Sequence, residues 1–201
     1  MPKISDEKRA ARRAQILDAA WICFQKEGLH ATTMDDIIRA SGLSAGAVYS
    51  YYPSKDELIL AAVTTSLSGL RTLMQPLFDV RPPLAPAEFL RRATETIARF
   101  TAREGYDLKR IALLGWSEAQ RNERLRATMQ GFYLAFRDQI EIVMEQAVEA
   151  KRLDATVSAK DAAKTLLSAI LGFVAQSAIL GDVDPAEIAA GVTAFAASGR
   201  S

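Results

Sequence analysis

The apolar residues of this 201-residue chain recur at helical spacing almost throughout, and no segment alternates convincingly between apolar and polar residues. The pattern is clearest over residues 6–27, where one stripe along a helix is formed by Ile16, Leu17, Ala20, Trp21 and Phe24. The chain is therefore predicted to be all-α.

Capping signals predict that the first helix is followed by a short second one. Gly28 ends the first helix, and Thr33 offers a side-chain oxygen to the next helix start. Asp36, three residues later, completes a carboxylate variant of the capping box. The second helix is expected at about residues 33–40.

A third short helix and a long fourth one follow. Gly42 follows, and glycine adopts a positive φ at little cost, while Ser44 caps a helix that cannot pass Pro53. Ser54 and Glu57 then form an S-x-x-E capping box, which starts a helix that is expected to end before the next proline, at position 76. The pattern predicts two short helices joined by a three-residue turn.

The proline-rich segment DVRPPLAPAEF, residues 79–89, is predicted to be a loop. Further helices are expected at roughly residues 86–103, 106–119, 122–151, 158–180 and 185–197. Two domains are predicted: a three-helix domain over residues 1–56, and a larger helical domain over residues 57–201.

Composition favours a cytoplasmic protein without a membrane partner. Cys23 is the only cysteine, so an internal disulfide framework is excluded, and the chain starts with charged residues instead of an apolar signal region. The longest apolar run, residues 166–180, is shorter than the roughly 20 residues of a membrane span. It is expected to be a buried helix.

The net charge of +1 gives no sign of nucleic-acid binding, but the charge is unevenly distributed. Residues 3–13 hold five basic side chains against two acidic ones, which makes a basic arm that includes Arg9 and Arg12. The alternative is that this arm is only the solvated start of a helix.

The predicted third helix begins with small residues, Ser44, Ala45, Gly46 and Ala47. A helix enters the major groove of DNA only if its first residues let the backbone approach base edges and phosphates. Glycine inside a helix costs about 1 kcal/mol relative to alanine, so Gly46 calls for a steric reason. Close approach to DNA supplies one.

Three side chains after these small residues extend the predicted DNA-binding surface. Tyr49 and Tyr51 are flanking hydrogen-bond donors, and Lys55 adds a positive charge where a DNA backbone would pass. The alternative is that Tyr49, Tyr51 and Tyr52 are core aromatics and Gly46 is an ordinary helix residue.

The segment from Gly28 to Leu58 resembles the DNA-binding domain of the TetR family of transcriptional regulators. The matching residues occur in family order and spacing: Gly28, Thr32, Thr33, Ile37, the SGLS of residues 41–44, Gly46, Tyr49, Lys55 and Leu58. The chain departs from the family pattern at Ile38, where alanine is usual, and at Tyr51, where histidine is usual.

The resemblance implies a dimeric repressor that binds a palindromic double-stranded DNA operator and leaves it when a small molecule binds the C-terminal domain. Family positions that contact or closely approach phosphates fall on Thr33, Ser44, Gly46, Tyr49 and Lys55. Bases would be contacted by Ala45 and Ala47. The basic arm would add minor-groove or phosphate contacts.

Two other classes of protein stay open at this point: a small all-α enzyme and a helical interaction module that does not bind DNA. The sequence shows no nucleophile with a base, no metal cluster and no phosphate cradle. Cys23 is expected to be a buried small hydrophobe, and His30 a surface or capping residue. No catalytic residue, metal or cofactor is predicted.

Ligand binding by the second domain is suggested by its large polarizable side chains, which apolar pockets use to hold and orient small molecules. A small apolar or amphipathic effector is expected near Phe100, Trp116, Met129, Phe132, Tyr133 and Phe136. The alternative is a plain aromatic core.

The segment from Ala162 to Leu180 is apolar around most of its circumference, and small residues recur along it at mostly three-residue steps. A single domain covers only part of such a helix. The resemblance implies a four-helix dimer interface, so a homodimer is predicted through residues 162–180 and 185–197.

Overall fold

The computed structural model describes residues 6–198, with side chains up to residue 195. Nine helices and one two-stranded hairpin are found in this part of the chain. The elements are α1 (Asp6–Ala31), α2 (Met34–Ser41), α3 (Ala45–Tyr51), α4 (Lys55–Phe78), α5 (Pro86–Thr101), β1 (Ala102–Arg103), β2 (Tyr106–Asp107), α6 (Leu108–Glu118), α7 (Glu123–Glu149), α8 (Ala159–Ile179) and α9 (Pro185–Ser198). The prediction of an all-α fold is confirmed.

The chain divides into two compact units. The first contains the described residues up to Ser66 together with Arg103–Arg126, and the second contains Leu67–Ala102 and the described residues from Ala127 onward. Helices α4 and α7 each begin in the first unit and end in the second.

The first unit is built around α1, which packs against α2 and α6. The predicted stripe forms its core, since Ile16, Ala20 and Phe24 are almost completely buried. Gly28 interrupts α1 with a φ of 79°, in the left-handed region that glycine adopts at little cost. The helical stripe therefore ends where the sequence predicts.

The hairpin is an addition that the helical pattern does not predict. Gly105 turns the chain with a φ of 85°, and two residues on either side pair as strands. Tyr106 attaches the hairpin to α1, because its hydroxyl donates to Asp18 Oδ1 at 2.9 Å and its ring lies 5.4 Å from that of Trp21. The sixth helix consequently starts two residues later than predicted, at Leu108.

The second unit buries α5 against α8 and α9. Phe89 and Leu90 on α5 are fully buried, as is Phe173 on α8. On the half-exposed side of α5, Glu88 accepts hydrogen bonds from Arg91 and Arg92. These bonds, chiefly the two from Arg91, lower the pKa of Glu88 from 4.5 to about 2, against the opposing effect of burial.

Helix α4 continues through Pro76 and ends at Phe78, three residues beyond the predicted end. Proline lacks the N–H that would bond the carbonyl four residues earlier, and at Pro76 this loss is confined to the last turns of α4. Pro76 is followed by only two helical residues, so the helix tolerates it.

Helix α8 is the one helix among the described residues that is long and apolar enough to cross a bilayer, judged by length and composition. Only 28% of its most apolar window is buried within a single chain. Large apolar side chains at the end of α8 and on α9 are also exposed: Ile179 by 70%, Leu180 by 62% and Phe195 by 81%.

Candidate nucleic-acid interface

The N-terminus of α2 carries the predicted capping box. Asp36 N–H donates to Thr33 Oγ1 at 3.2 Å, and the Thr33 N–H donates to Asp36 Oδ2 at 2.9 Å. The Thr33 hydroxyl also donates to Asp36 Oδ2, at 2.7 Å, and this bond is the main reason that the pKa of Asp36 lies below its ordinary value. The backbone N–H and the hydroxyl of Thr33 therefore both form hydrogen bonds within the protein.

The turn between α2 and α3 is fixed from two sides. Gly42 ends α2 with a φ of 67°, and the Ser41 hydroxyl donates to the Ile38 carbonyl at 2.9 Å. Gln15 of α1 reaches across to donate its Nε2 to the Ser41 carbonyl at 2.7 Å. The sequence gives no signal for this role of Gln15, because its partner lies 26 residues away.

Helix α3 is anchored by its inner face and presents its first turn to solvent. Val48 is completely buried, whereas Ser44, Ala45 and Gly46 are exposed. The Ser44 hydroxyl accepts the Ala47 N–H at 3.3 Å, which caps the helix as predicted. The first turn of α3 is therefore exposed, has small side chains with a hydroxyl at the cap, and is held in place by the buried Val48.

Gly46 has no internal reason to be glycine. A Cβ atom at this position would meet no atom of the protein within 4 Å, and Gly46 does not have a positive φ. Alanine would favour the helix by about 1 kcal/mol, and no contact within the protein accounts for the missing side chain. This observation separates Gly46 from Gly42, whose left-handed backbone accounts for it.

The tyrosines of α3 differ in exposure. Tyr49 is 44% exposed, and Tyr51 is half-buried. Tyr52, which ends the helix, is buried, and burial raises the pKa of its hydroxyl. The core-aromatic alternative thus holds for Tyr52, while Tyr49 is available to a partner.

The Lys55 ammonium lies against the protein backbone. Its Nζ donates to the carbonyl oxygens of His30 and Thr32, both at 3.0 Å. These carbonyls belong to the end of α1 and the approach to α2, where helical partners are missing. Lys55 therefore has a structural role that the sequence analysis did not predict, and one N–H remains for a phosphate.

The basic side chains of α1 have different surroundings. Arg12 donates to Gln15 Oε1 at 2.9 Å, whereas Arg9 is exposed and has no ion-pair partner among the described residues. Lys3, the first residue of the predicted basic arm, lies outside the described residues.

The predicted ligand-binding residues divide between the two units. Phe132 and Phe136 stack with their ring centroids 6.2 Å apart, and the ring of Phe78 lies 5.8 Å from that of Phe136. Tyr133 packs edge-on against Phe132, and Met129 is buried. A Cβ on Gly69 would be 3.2 Å from the Phe100 ring, and Trp116 belongs to the first unit.

Groups that could serve catalysis have structural partners. Glu118 is buried and accepts hydrogen bonds from Arg121 at 2.6 and 3.0 Å, and His30 Nε2 lies 3.5 Å from the same carboxylate. Burial is the main cause that raises the pKa of the Cys23 thiol, which makes the reactive thiolate scarcer. No group of His, Cys, Asp or Glu side chains within residues 6–195 is placed to hold a metal ion.

Comparison with known proteins decides the family. The family model described as "Bacterial regulatory proteins, tetR family" matches residues 16–62, which contain α2, the turn and α3. The model described as "BetI-type transcriptional repressor, C-terminal" matches residues 86–199, more than half of the chain. The chain belongs to the TetR family. TetR-family proteins are helix-turn-helix transcriptional regulators and not enzymes.

Curated relatives in the TetR family align over parts of their length. The HTH-type transcriptional repressor Rv1474c of Mycobacterium tuberculosis is 32% identical over 145 residues, which cover 65% of this chain and 73% of that protein. BetI of Rhizobium meliloti is 30% identical over 129 residues, 63% of this chain and 60% of BetI. YfiR of Bacillus subtilis is 41% identical over 73 residues, so the chain spans only 36% of its length.

Solved structures share this fold over most of the chain. GusR of Salmonella enterica superposes with a TM-score of 0.73 at 23% identity and covers 96% of both chains. FadR of Bacillus subtilis, solved in complex with stearoyl-CoA, superposes with a TM-score of 0.71 at 14% identity, covering 89% of this chain and 94% of FadR.

Proposed function

We propose that this TetR-family protein is a repressor that binds its operator as a homodimer by inserting α3 into the major groove. The observation that carries the proposal is the exposed first turn of α3, in which Gly46 lacks a side chain although the protein has room for one. A recognition helix with such a start can bring its backbone close to base edges.

The proposed contacts divide into those that position the protein and those that select sequence. Ala45 and Ala47 would face the bases, where an alanine methyl can contact the methyl group of thymine. Phosphates would be bound from both sides of α3 and from α1 by Thr33, Ser44, Tyr49, Tyr51, Lys55, Arg9 and Arg12. Because Thr33 is engaged by Asp36, it would contact DNA only by exchanging that hydrogen bond.

Two copies of α3 related by a two-fold axis require a palindromic operator. Successive major grooves on one face of DNA are separated by one helical turn, roughly 34–36 Å, so the half-sites should be spaced by one turn or a multiple of it. Selection of bound fragments from random DNA, followed by footprinting, tests this proposal. A bound consensus without two-fold symmetry would contradict it.

Substitutions in α3 test which residues select sequence. Ala45→Leu and Ala47→Leu are expected to block groove entry or change the preferred bases, since they enlarge the surface that meets base edges. Tyr49→Phe removes only a hydroxyl, and should weaken binding to all sequences alike. If both leucine variants fold and keep the wild-type footprint, α3 is not the helix that recognises the operator.

The homodimer is supported by the apolar surface of α8 and α9. Ile179 and Leu180 are mostly exposed in the single chain, and little of α8 is buried. A second copy would cover this surface through a four-helix interface. By its length and composition, α8 could also span a membrane. If the protein inserts into lipid vesicles and does not form a dimer, this proposal is contradicted.

A small apolar or amphipathic effector is proposed to bind in the second unit beside Phe132 and Phe136. The two stacked rings, with Tyr133 against them, offer apolar surface together with one hydroxyl. Effector binding would favour a conformation in which the two recognition helices no longer match the operator, which requires different affinities for the two states. The predicted ligand contacts of Phe100, Trp116 and Met129 stay predictions.

A release screen tests the effector. Compounds are added to the complex with the selected operator, and active ones are titrated against wild type and Phe136→Ala. Release that persists unchanged in a folded Phe136→Ala protein would place the effector elsewhere. A cytoplasmic location is proposed because the operator is there, and a gel-shift with genomic fragments distinguishes a DNA-binding regulator from a helical interaction module.

A further inference from the structure

The first unit contains a groove of about 820 Å³, and of its lining residues the proposed function uses only Arg9 and Tyr51. It runs between α1 and the start of α4 and reaches the end of α3. Its volume falls within the range of sites that hold small organic molecules, about 300–1,000 Å³. Residues that define it are Arg9, Arg13 and Leu17 from α1, Tyr52 after α3, and Leu60 and Ala61 from α4.

The floor of this groove is apolar. Leu17 and Tyr52 are buried, and Leu60 and Ala61 are half-buried. DNA phosphates have no need of such a floor, because they are bound by charge and hydrogen bonds at a polar surface. An apolar floor instead favours a ligand that has a hydrocarbon part.

The rim of the groove is charged. Arg9 and Arg13 are four residues apart, so both lie on the same side of α1, and both are exposed without an ion-pair partner among the described residues. Arg13 also lies close enough to the Tyr52 hydroxyl to oppose the rise that burial causes in its pKa.

The two acidic residues of the groove do not neutralise these arginines. Glu57 contacts Arg124, which takes up its carboxylate. Asp6 lies one helical turn before Arg9, but it forms no ion pair with either arginine among the described residues. Two guanidinium groups remain beside an apolar floor, and a guanidinium pairs with a carboxylate through parallel hydrogen bonds.

We propose that this groove binds a small amphipathic carboxylate, with its hydrocarbon part on Leu17 and Leu60 and its carboxylate on Arg9 and Arg13. The site is distinct from the effector site proposed in the second unit. Arg9 is also proposed to bind a phosphate of the operator, so an occupied groove would withdraw that guanidinium from DNA.

Calorimetric titration of the full-length protein with decanoate, without DNA, tests the site. Decanoate should bind below the concentration at which it forms micelles. The neutral alcohol decanol lacks the carboxylate, so its affinity should be lower by about tenfold or more. The double variant Arg9→Gln/Arg13→Gln should lose about tenfold in decanoate affinity, while Arg12→Gln, whose side chain bonds to Gln15, should keep it. Ala61→Phe should block binding by filling the floor.

Because decanoate binding is measured without DNA, the result does not depend on the proposed repressor function. Three results would overturn the proposal. Decanol could bind as tightly as decanoate, Arg12→Gln could lose as much decanoate affinity as the double variant, or millimolar decanoate could give no heat of binding. A double variant that loses operator binding but keeps decanoate would overturn it too, since the arginines would then serve DNA. Tighter binding to phosphatidylglycerol vesicles than to free decanoate would identify a membrane surface as the partner instead.

Discussion

The Lys55 ammonium donates a hydrogen bond to the carbonyl oxygen of Thr32, 23 residues earlier in the chain, at 3.0 Å. The same Nζ donates to the His30 carbonyl. The start of α4 is thereby joined to the segment that leads into α2. A residue that the family resemblance assigns to DNA thus also supports the helix-turn-helix.

Lys55→Met should lower the free energy of unfolding by about 1–3 kcal/mol, because two carbonyls lose a charged donor. If the third N–H binds a phosphate, the salt dependence of DNA binding should also flatten by about one unit of slope. Chemical denaturation and a salt series of binding constants measure the two effects. Lys26→Met is the control, since Lys26 is exposed and its one ion-pair partner within residues 6–195 is its neighbour Glu27. A lower slope with unchanged stability would contradict the structural role.

Gly46→Ala should change stability and DNA binding in opposite directions. A new methyl group meets nothing in the protein, so the variant should be more stable by up to about 1 kcal/mol, while its operator affinity falls. Gly131→Ala on α7 is the matched control, since its Cβ also meets nothing within 4 Å. It should gain stability and keep its operator affinity. A Gly46→Ala protein with wild-type affinity would show that DNA does not approach this residue.

Ile179→Glu should separate the subunits without unfolding them. Ile179 is 70% exposed in the single chain, so a charge there costs the monomer little, but in a dimer interface it would be buried without a partner. Sedimentation should show a dimer for wild type at micromolar concentration and a monomer for the variant. Gln130→Glu, on the exposed side of α7, should stay dimeric. A monomeric wild type would refute the proposed interface.

The hydrogen bonds from Arg91 and Arg92 to Glu88 should stabilise the fold in a defined pH range. The folded-state pKa of Glu88 is about 2, below the ordinary 4.5, so the contribution is present above about pH 4.5 and is lost as the pH falls toward 2. Glu88→Gln should therefore cost about 1 kcal/mol near neutral pH and almost nothing at pH 2, since the pair is partly exposed. Unfolding curves across this range measure the difference. Glu123→Gln, at a side chain that is 90% exposed, should show no such trend.

Features of the fold that depend on neighbours in sequence were predicted well. The Thr33–Asp36 capping box and the break at Gly28 need only residues a few positions apart, and both are present. The family was identified from the order of small motifs in the first quarter of the chain, and the family model confirms it. The DNA contacts of the individual residues stay predictions.

Features that depend on distant partners were missed. The Glu57 carboxylate contacts Arg124 of α7, so the predicted box with Ser54 keeps only its Ser54 half, in which the hydroxyl accepts the Glu57 N–H. Gln15 holds the Ser41 carbonyl 26 residues away. The hairpin has strands of two residues, which are too short to show an alternating pattern. No local signal indicates any of these contacts.

Residues 103–126 belong to the same compact unit as the helix-turn-helix, although 36 residues separate the two segments in the chain. Tyr106 covers Trp21, and α6 covers another part of α1. Fusing residues 1–66 alone to the sensing half of another regulator would leave this surface of α1 bare. A chimaeric biosensor that keeps the operator preference of this protein must therefore carry both segments. The foreign sensing half has to replace the residues between these segments and the residues after the second one, so that the hairpin and α6 are kept.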